Sequence, residues 1–182
     1  MTCPSFTDKQ SENLKKAIRL TNKQHYEISY NIEGDKNIKL TGLCRGDKCS
    51  VIIKHTKKQT GTFHTHPADP NHYLAPSPDD SFLAWIRQDK WHCIGGEGKY
   101  FDEKLDVPTT RCFVSSVPKN RYFTYPGVEQ VFEDWMKAKE RSDKAIRPLK
   151  GLALEDTEKK FEKLGKFIQR NIYTKKCEYE HK

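Results

Sequence analysis

Two histidines two residues apart, a serine and a pair of aspartates fall between Gly61 and Asp80, in the stretch G-T-F-H-T-H-P-A-D-P-N-H-Y-L-A-P-S-P-D-D. If this segment begins as a strand, His64 and His66 leave the same face of the sheet. Two imidazoles on one face with a nearby carboxylate make the ligand set of a catalytic zinc, whose fourth position stays open for water. Ser77 is placed as a helix N-cap and Pro78 as the first helical residue, with both carboxylates in the first turn. Asp80 is then the third helical residue. Asp79 points about 100° away around the helix, so only one of the two serves as a ligand. Capping alone also accounts for Ser77-x-x-Asp80, since hydroxyl and carboxylate can cap each other's backbone N–H. The two readings meet on the same side chains.

The elements that must position these groups follow from periodicity. Residues 10–23 are predicted as an amphipathic helix with Leu14, Ala17, Ile18 and Thr21 on one face and Ser11 as cap. Tyr26, Ile28, Tyr30 and Ile32 alternate as a half-buried strand. Gly34-Asp35-Lys36-Asn37 turns the chain into a second strand, I-K-L-T-G-L-C, and Arg45-Gly46-Asp47-Lys48 into a third, C-S-V-I-I-K-H. T-G-T-F-H-T-H is a fourth strand, stopped by Pro67, and residues 67–76 form a loop. The helix opened by Ser77 is expected to run to Lys90 and to bury Phe82, Trp85 and Ile86. W-H-C-I-G-G is predicted as a short strand ending at its glycine pair, with further strands at G-K-Y-F, R-C-F-V-S-S and R-Y-F-T-Y. Helices are expected over 127–143, from Val128, Val131, Phe132, Trp135 and Met136, and beyond Asp156, from Phe161, Leu164, Ile168 and Ile172. The last residues, T-K-K-C-E-Y-E-H-K, are expected to fray. The order describes an α+β protein with a helical C-terminal extension.

Composition narrows the setting. The chain has 182 residues, 35% hydrophobic and 32% charged, enough for one ordinary domain with an appendage. No apolar run approaches the roughly 20 residues of a membrane span, and the N-terminus lacks the apolar core of a secretory signal. A cytoplasmic protein without a membrane segment is expected. The formal charge of +8 favours acidic partners, either an acidic protein or nucleic acid. No basic run is interleaved with stacking aromatics, so a dedicated nucleic-acid binder is not indicated. Cys3, Cys44, Cys49, Cys93, Cys112 and Cys177 form no C-x-x-C, which argues against a cysteine zinc ribbon. In a cytoplasm they are expected to be reduced, small core residues.

The pattern F-H-T-H-P … P-S-P-D-D resembles the H-x-H-P … P-S-x-x-D signature of the JAB/MPN, or JAMM, metalloproteases. These are zinc-dependent peptidases and isopeptidases that act on ubiquitin and ubiquitin-like tails. The family pattern also has a glutamate opening an upstream strand and a glycine about seven residues on, which Glu27 and Gly34 match. The apolar strand W-H-C-I-G-G after the metal helix is similar too. The resemblance covers about residues 10–116, and it implies a JAB/MPN-like mixed sheet flanked by helices there, with a helical extension over 126–174.

Carried over residue by residue, the resemblance implies zinc ligation by His64, His66 and Asp80. It makes Glu27 the general base and Ser77 the donor to the developing oxyanion, on a ubiquitin-like or peptide-tail substrate. Glu33 is the rival acid, beside a turn where acids are common. The His66–Asp80 spacing is about three residues longer than the family's, so the loop Ala68–Ala75 carries an insertion. A rearranged turn there would present Asp79 in place of Asp80. Asp69 and His72 in the insertion are candidates for gating or a second ion, or are plain surface residues. His25 and His55 receive no role. Two other readings compete: a non-catalytic scaffold of the same fold, and a metal-dependent phosphoesterase. The latter needs further ligands, and after Asp80 only His92 and His181 remain as histidines.

Overall fold

The computed structural model describes residues 2–46, 58–116 and 152–182. The chain forms helix α1 (Asp8–Gln24), strands β1 (Ile28–Glu33), β2 (Lys39–Arg45) and β3 (Gln59–Thr65), and helix α2 (Pro78–Ile86). Strands β4 (Trp91–Lys99) and β5 (Lys104–Val114), helix α3 (Leu152–Asn171) and strand β6 (Lys175–Glu180) follow. All six strands join one mixed sheet in the order β2-β1-β3-β4-β5-β6. β3 and β4 run parallel, with α2 as the connection between them, and the other neighbours are antiparallel. The architecture is α+β, as the pattern of elements predicts. Among the described residues no helix is long and apolar enough to cross a membrane.

Alternation divides the sheet into two faces. Leu14, Ala17 and Ile18 of α1 pack on Ile28, Ile32, Phe63, Cys93, Cys112 and Val114. On the opposite face α2 and α3 pair through Phe82, Ala84, Leu164 and Ile168, with Ile172 and Tyr173 closing the cluster. Each of these side chains is buried. Phe63 therefore lies under α1, while its neighbour His64 faces the α2 side. That one-residue alternation puts the chemistry and the main core on opposite sides of β3.

Several boundaries differ from expectation, each for a local reason. α1 starts a turn earlier because Thr7, not Ser11, is the cap: its side chain accepts from Gln10 N and the Gln10 side chain accepts from Thr7 N. α2 ends at Ile86 rather than Lys90, since Gln88 takes a left-handed φ of 56°. β4 does not stop at Gly95-Gly96 but continues to Lys99. At Gly96 a side chain would lie 2.7 Å from Leu74 Cδ1, so the missing Cβ makes room for the loop that packs there.

The C-terminal stretch is not frayed. β6 pairs with β5 from Thr109↔Glu180 to Val114↔Lys175, and His181 is buried with Nε2 2.7 Å from Thr110 Oγ1. Lys175, Cys177 and Tyr179 alternate with Lys176, Glu178 and Glu180, a charged edge strand whose apolar members were too few to register. Nor are the described cysteines reduced. Cys3 is bonded to Cys177 and Cys93 to Cys112, and Cys44 is also disulfide-bonded. Cys93 and Cys112 are register partners on adjacent strands, a relation invisible before the pairing is known. The strands expected at 49–55 and 121–125 and the helix expected over 127–143 lie outside the described residues.

Candidate metal centre

β3 delivers His64 directly, and the sheet extends far enough to deliver His66. The amide of His66 donates to Gly95 O at 2.9 Å, continuing the parallel ladder one step past β3. Its carbonyl accepts from Tyr100 Oη at 2.6 Å. With its backbone held on both sides, His66 keeps the strand alternation and turns its ring to the same side as His64. The ring centroids are 4.8 Å apart.

The loop after His66 is tied down at intervals. Ala68 N donates to Asn22 Oδ1 at 2.9 Å, and Asn22 Nδ2 donates to Glu97 O at 2.7 Å, so one α1 side chain bridges loop and β4. Leu74 is buried against Ile94 and Tyr100, and its carbonyl accepts from Arg111 Nη1 at 3.3 Å. Arg111 is itself fixed by Glu103 and by Glu178 of β6. Asp69 and His72 lie on the outer side of this loop, paired with each other at 2.7 Å and solvent-exposed. They are not part of the cluster below.

α2 then opens as the sequence predicts. Ser77 caps it, accepting from Asp80 N at 3.1 Å, while Asp80 Oδ2 accepts from Ser77 N at 2.9 Å. The same Oδ2 lies 3.2 Å from His64 Nε2 and 3.6 Å from His66 Nε2. Capping and clustering therefore coexist on one oxygen; the cap fixes the rotamer that points the carboxylate at the imidazoles. The lengthened loop does not bring Asp79 into Asp80's place.

His64 Nε2 and His66 Nε2 are 2.9 Å apart. Tetrahedral zinc, bonded at about 2.0–2.2 Å to nitrogen and oxygen, has ligand–ligand edges of about 3.3 Å. The three separations here bracket that edge. Among the described residues, this is the set of three metal-capable side chains grouped within 4.8 Å that the fold presents. The donor set of two imidazoles and a carboxylate fits zinc.

Burial disfavours charge at both His64 and Asp80, but their mutual attraction outweighs it. The Asp80 carboxylate, helped by Glu27, holds the His64 imidazole above its ordinary pKa. Against its own burial, Asp80 is held well below the usual carboxylate range by His64 and His66. The two groups thus stabilise each other's charged forms against the cost of burial.

Glu27 sits just ahead of β1 with Oε1 3.9 Å from His66 Nε2, its side chain half exposed. Its backbone is set by two contacts: Gly46 N donates to Glu27 O at 2.8 Å, and the next amide, Ile28 N, donates to Thr65 Oγ1 at 2.8 Å. Thr65 lies between the two histidines and points the other way, so the strand that presents the imidazoles also anchors the acid. Glu33 is at the far end of β1, paired with Gln59 rather than His64. Four strand residues separate its register from that of Ser29↔His64, about 13 Å. His25 is an exposed left-handed helix C-cap, and His55 lies outside the described residues.

One residue beside this cluster has no role in the sequence reading. His92, on β4 opposite Thr62, is 1% exposed, with its ring centroid 6.3 Å from that of His64. The available signal was a single histidine inside the apolar run Trp91-His92-Cys93-Ile94. Compared with known proteins, the chain matches no family model, and no curated protein matches it.

Proposed function

We propose that the chain is a zinc-dependent metallopeptidase or isopeptidase of the JAB/MPN type, hydrolysing an amide bond in the tail of a ubiquitin-like or other small protein. The observation that carries this reading is the spacing of the three donor atoms at 2.9, 3.2 and 3.6 Å, with Glu27 Oε1 beside the same His66 nitrogen. His64 and His66 would hold the ion through Nε2 and Asp80 through Oδ2. A zinc ion held there supplies Lewis acidity, polarising a carbonyl and bringing the pKa of water down to about 7.

The remaining work belongs to the chain. Glu27, at the solvent-facing rim, takes a proton from the attacking water and passes it to the departing amine. The Ser77 hydroxyl oxygen accepts from the Asp80 amide, which leaves its own hydrogen to donate to the developing oxyanion. The formal charge of +8 suits an acidic protein partner. The disulfides favour an oxidising compartment or a hyperthermophilic host over a reducing cytoplasm.

The test couples metal analysis to cleavage. Protein purified with ample zinc is expected to hold one ion per chain and to cut fusions of ubiquitin-like proteins. Glu27→Gln should keep the zinc and lose roughly 10²–10⁴-fold in turnover. Protein that takes up no zinc would sink the reading. Zinc-loaded protein inert toward a broad panel of such fusions would favour a non-catalytic scaffold.

A further inference from the structure

Burying His92 is costly, and the chemistry above does not use it. Its ring is enclosed by Tyr173 and Phe113, with centroids 5.5 and 6.0 Å away, and its Nε2 has no hydrogen-bond partner among the described residues. An unpaired buried polar atom of this kind carries its full desolvation cost, and such exceptions call for a reason. Packing alone does not supply one, because an apolar ring would fill a space walled by Phe113 and Tyr173 without that penalty. Nor does a charge, which burial disfavours in a ring only 1% exposed. What sits in the floor of the site is a neutral imidazole with a lone pair or an N–H to offer.

His64 offers the complementary nitrogen. It turns Nε2 toward His66 and Asp80, so Nδ1 is the nitrogen directed away from them. Histidines that hold a metal are generally fixed by an acceptor for the other ring N–H, which sets the tautomer and the ring angle. His92 lies on the same face of the sheet as His64, one strand over. The 6.3 Å between the rings falls between about 5 Å for a direct N–H···N bond and about 7 Å for one bridged by a single water.

We propose that His92 is a positioning residue for the metal centre: its Nε2 accepts the Nδ1–H of His64, directly or through one water, and so leaves His64 Nε2 free to bind the ion. The inference rests on the zinc reading above. It assigns His92 the tautomer protonated at Nδ1 and His64 the same one. It also gives the orphaned atom a partner that ring reorientation on metal loading would complete.

Long-range ¹H–¹⁵N spectra of zinc-loaded protein test the tautomers without any substitution. Nδ1–H on both rings is expected, and a proton on His92 Nε2 overturns the proposal. Variants supply the second arm. His92→Phe should fold with an apo Tm at or above that of the parent, yet bind zinc 10–100-fold more weakly in chelator competition. It should also shift the visible absorption of the cobalt-substituted protein. His92→Gln, whose side-chain oxygen can accept, should recover most of both. Unchanged zinc affinity and cobalt spectrum in His92→Phe overturn the proposal, as does equal weakening in a folded His92→Gln. Absence of zinc from the parent protein refutes the metal centre itself, a result distinct from either.

Discussion

Gly165 of α3 lies against the backbone of Pro78, the first residue of the helix that carries Asp80. A Cβ built on Gly165 would stand 2.6 Å from the Pro78 carbonyl carbon and 2.7 Å from its Cα. One turn further on, Ser81 Oγ donates to Gln169 Oε1 at 2.7 Å. The C-terminal helix therefore fixes where α2 begins. A glycine inside a helix normally costs about 1 kcal/mol relative to alanine, and here the close approach explains its presence. Gly165→Ala is expected to push α3 and α2 apart despite its better helix propensity, lowering Tm and weakening zinc binding at least tenfold. Calorimetry and chelator competition on the same variant check this. An unchanged zinc affinity would show that α2 does not depend on the contact.

Asp80 and its neighbour should separate cleanly. Asp80 Oδ2 is at once the cap acceptor for Ser77 N and the oxygen nearest both imidazoles. Asp80→Asn should abolish stoichiometric zinc and weaken the start of α2. Asp79→Asn, on another side of the helix, should keep the zinc. It should cost less than about 1 kcal/mol, the usual size of a first-turn charge on the helix dipole. Metal content by atomic emission together with urea unfolding distinguishes the two. Retention of zinc by Asp80→Asn with loss in Asp79→Asn would reverse the assignment.

This contrast also marks what the sequence made legible. The helix start at Ser77 and the facing of His64 and His66 were readable because both follow from local rules: a cap with proline behind it, and a period of two. Helical geometry allowed only one of Asp79 and Asp80 to face the imidazoles; naming Asp80 rested on the family resemblance, and the cap at Ser77 is what puts it there. Glu27 was nameable only through a family resemblance, since nothing local ties a residue before β1 to a histidine at the end of β3; the tie runs through Thr65. His92 was hidden for the same reason. Its significance depends on a parallel pairing, Thr62↔His92, that no short window contains. β6 escaped notice because alternation among lysines and glutamates reads as polar tail until Cys177 is seen beside Cys112.

Acidification should act on the metal-free and the metal-bound protein in opposite ways. In the metal-free protein the raised His64 pKa contributes stability that is present below about 6.5 and lost as pH rises through the folded value. The depressed Asp80 pKa contributes stability present above its ordinary value of 3.8 and lost as pH falls through the folded value. The pair therefore favours the apo fold most in mildly acidic solution. Zinc must displace the His64 proton, so its apparent affinity should drop at least about tenfold for each unit below that raised pKa. Chelator competition from pH 5 to 8.5 reads the slope. A flat profile would mean that no proton is displaced at His64.

The disulfide between Cys3 and Cys177 joins the N-terminus to β6 across a sequence separation of 174 residues, whereas Cys93–Cys112 spans 19. Chain-entropy arguments assign roughly 5 kcal/mol to a loop of the first size and roughly 3 kcal/mol to the second. Their consequences for the site should differ more than those figures. Cys93–Cys112 links strands already paired along their length, while Cys3–Cys177 fastens the strand that directly follows α3. α3 holds Pro78 and Ser81 in place, so loosening β6 should reach Asp80 through Gly165 and Gln169. The Cys3→Ser/Cys177→Ser double variant is therefore expected to lose hydrogen-exchange protection in β6 and α3 and to bind zinc more weakly while the rest of the sheet stays protected. Cys93→Ala/Cys112→Ala should lower global stability with less effect on zinc. Equal zinc affinities in the two double variants would show that the C-terminal strand does not support the metal helix.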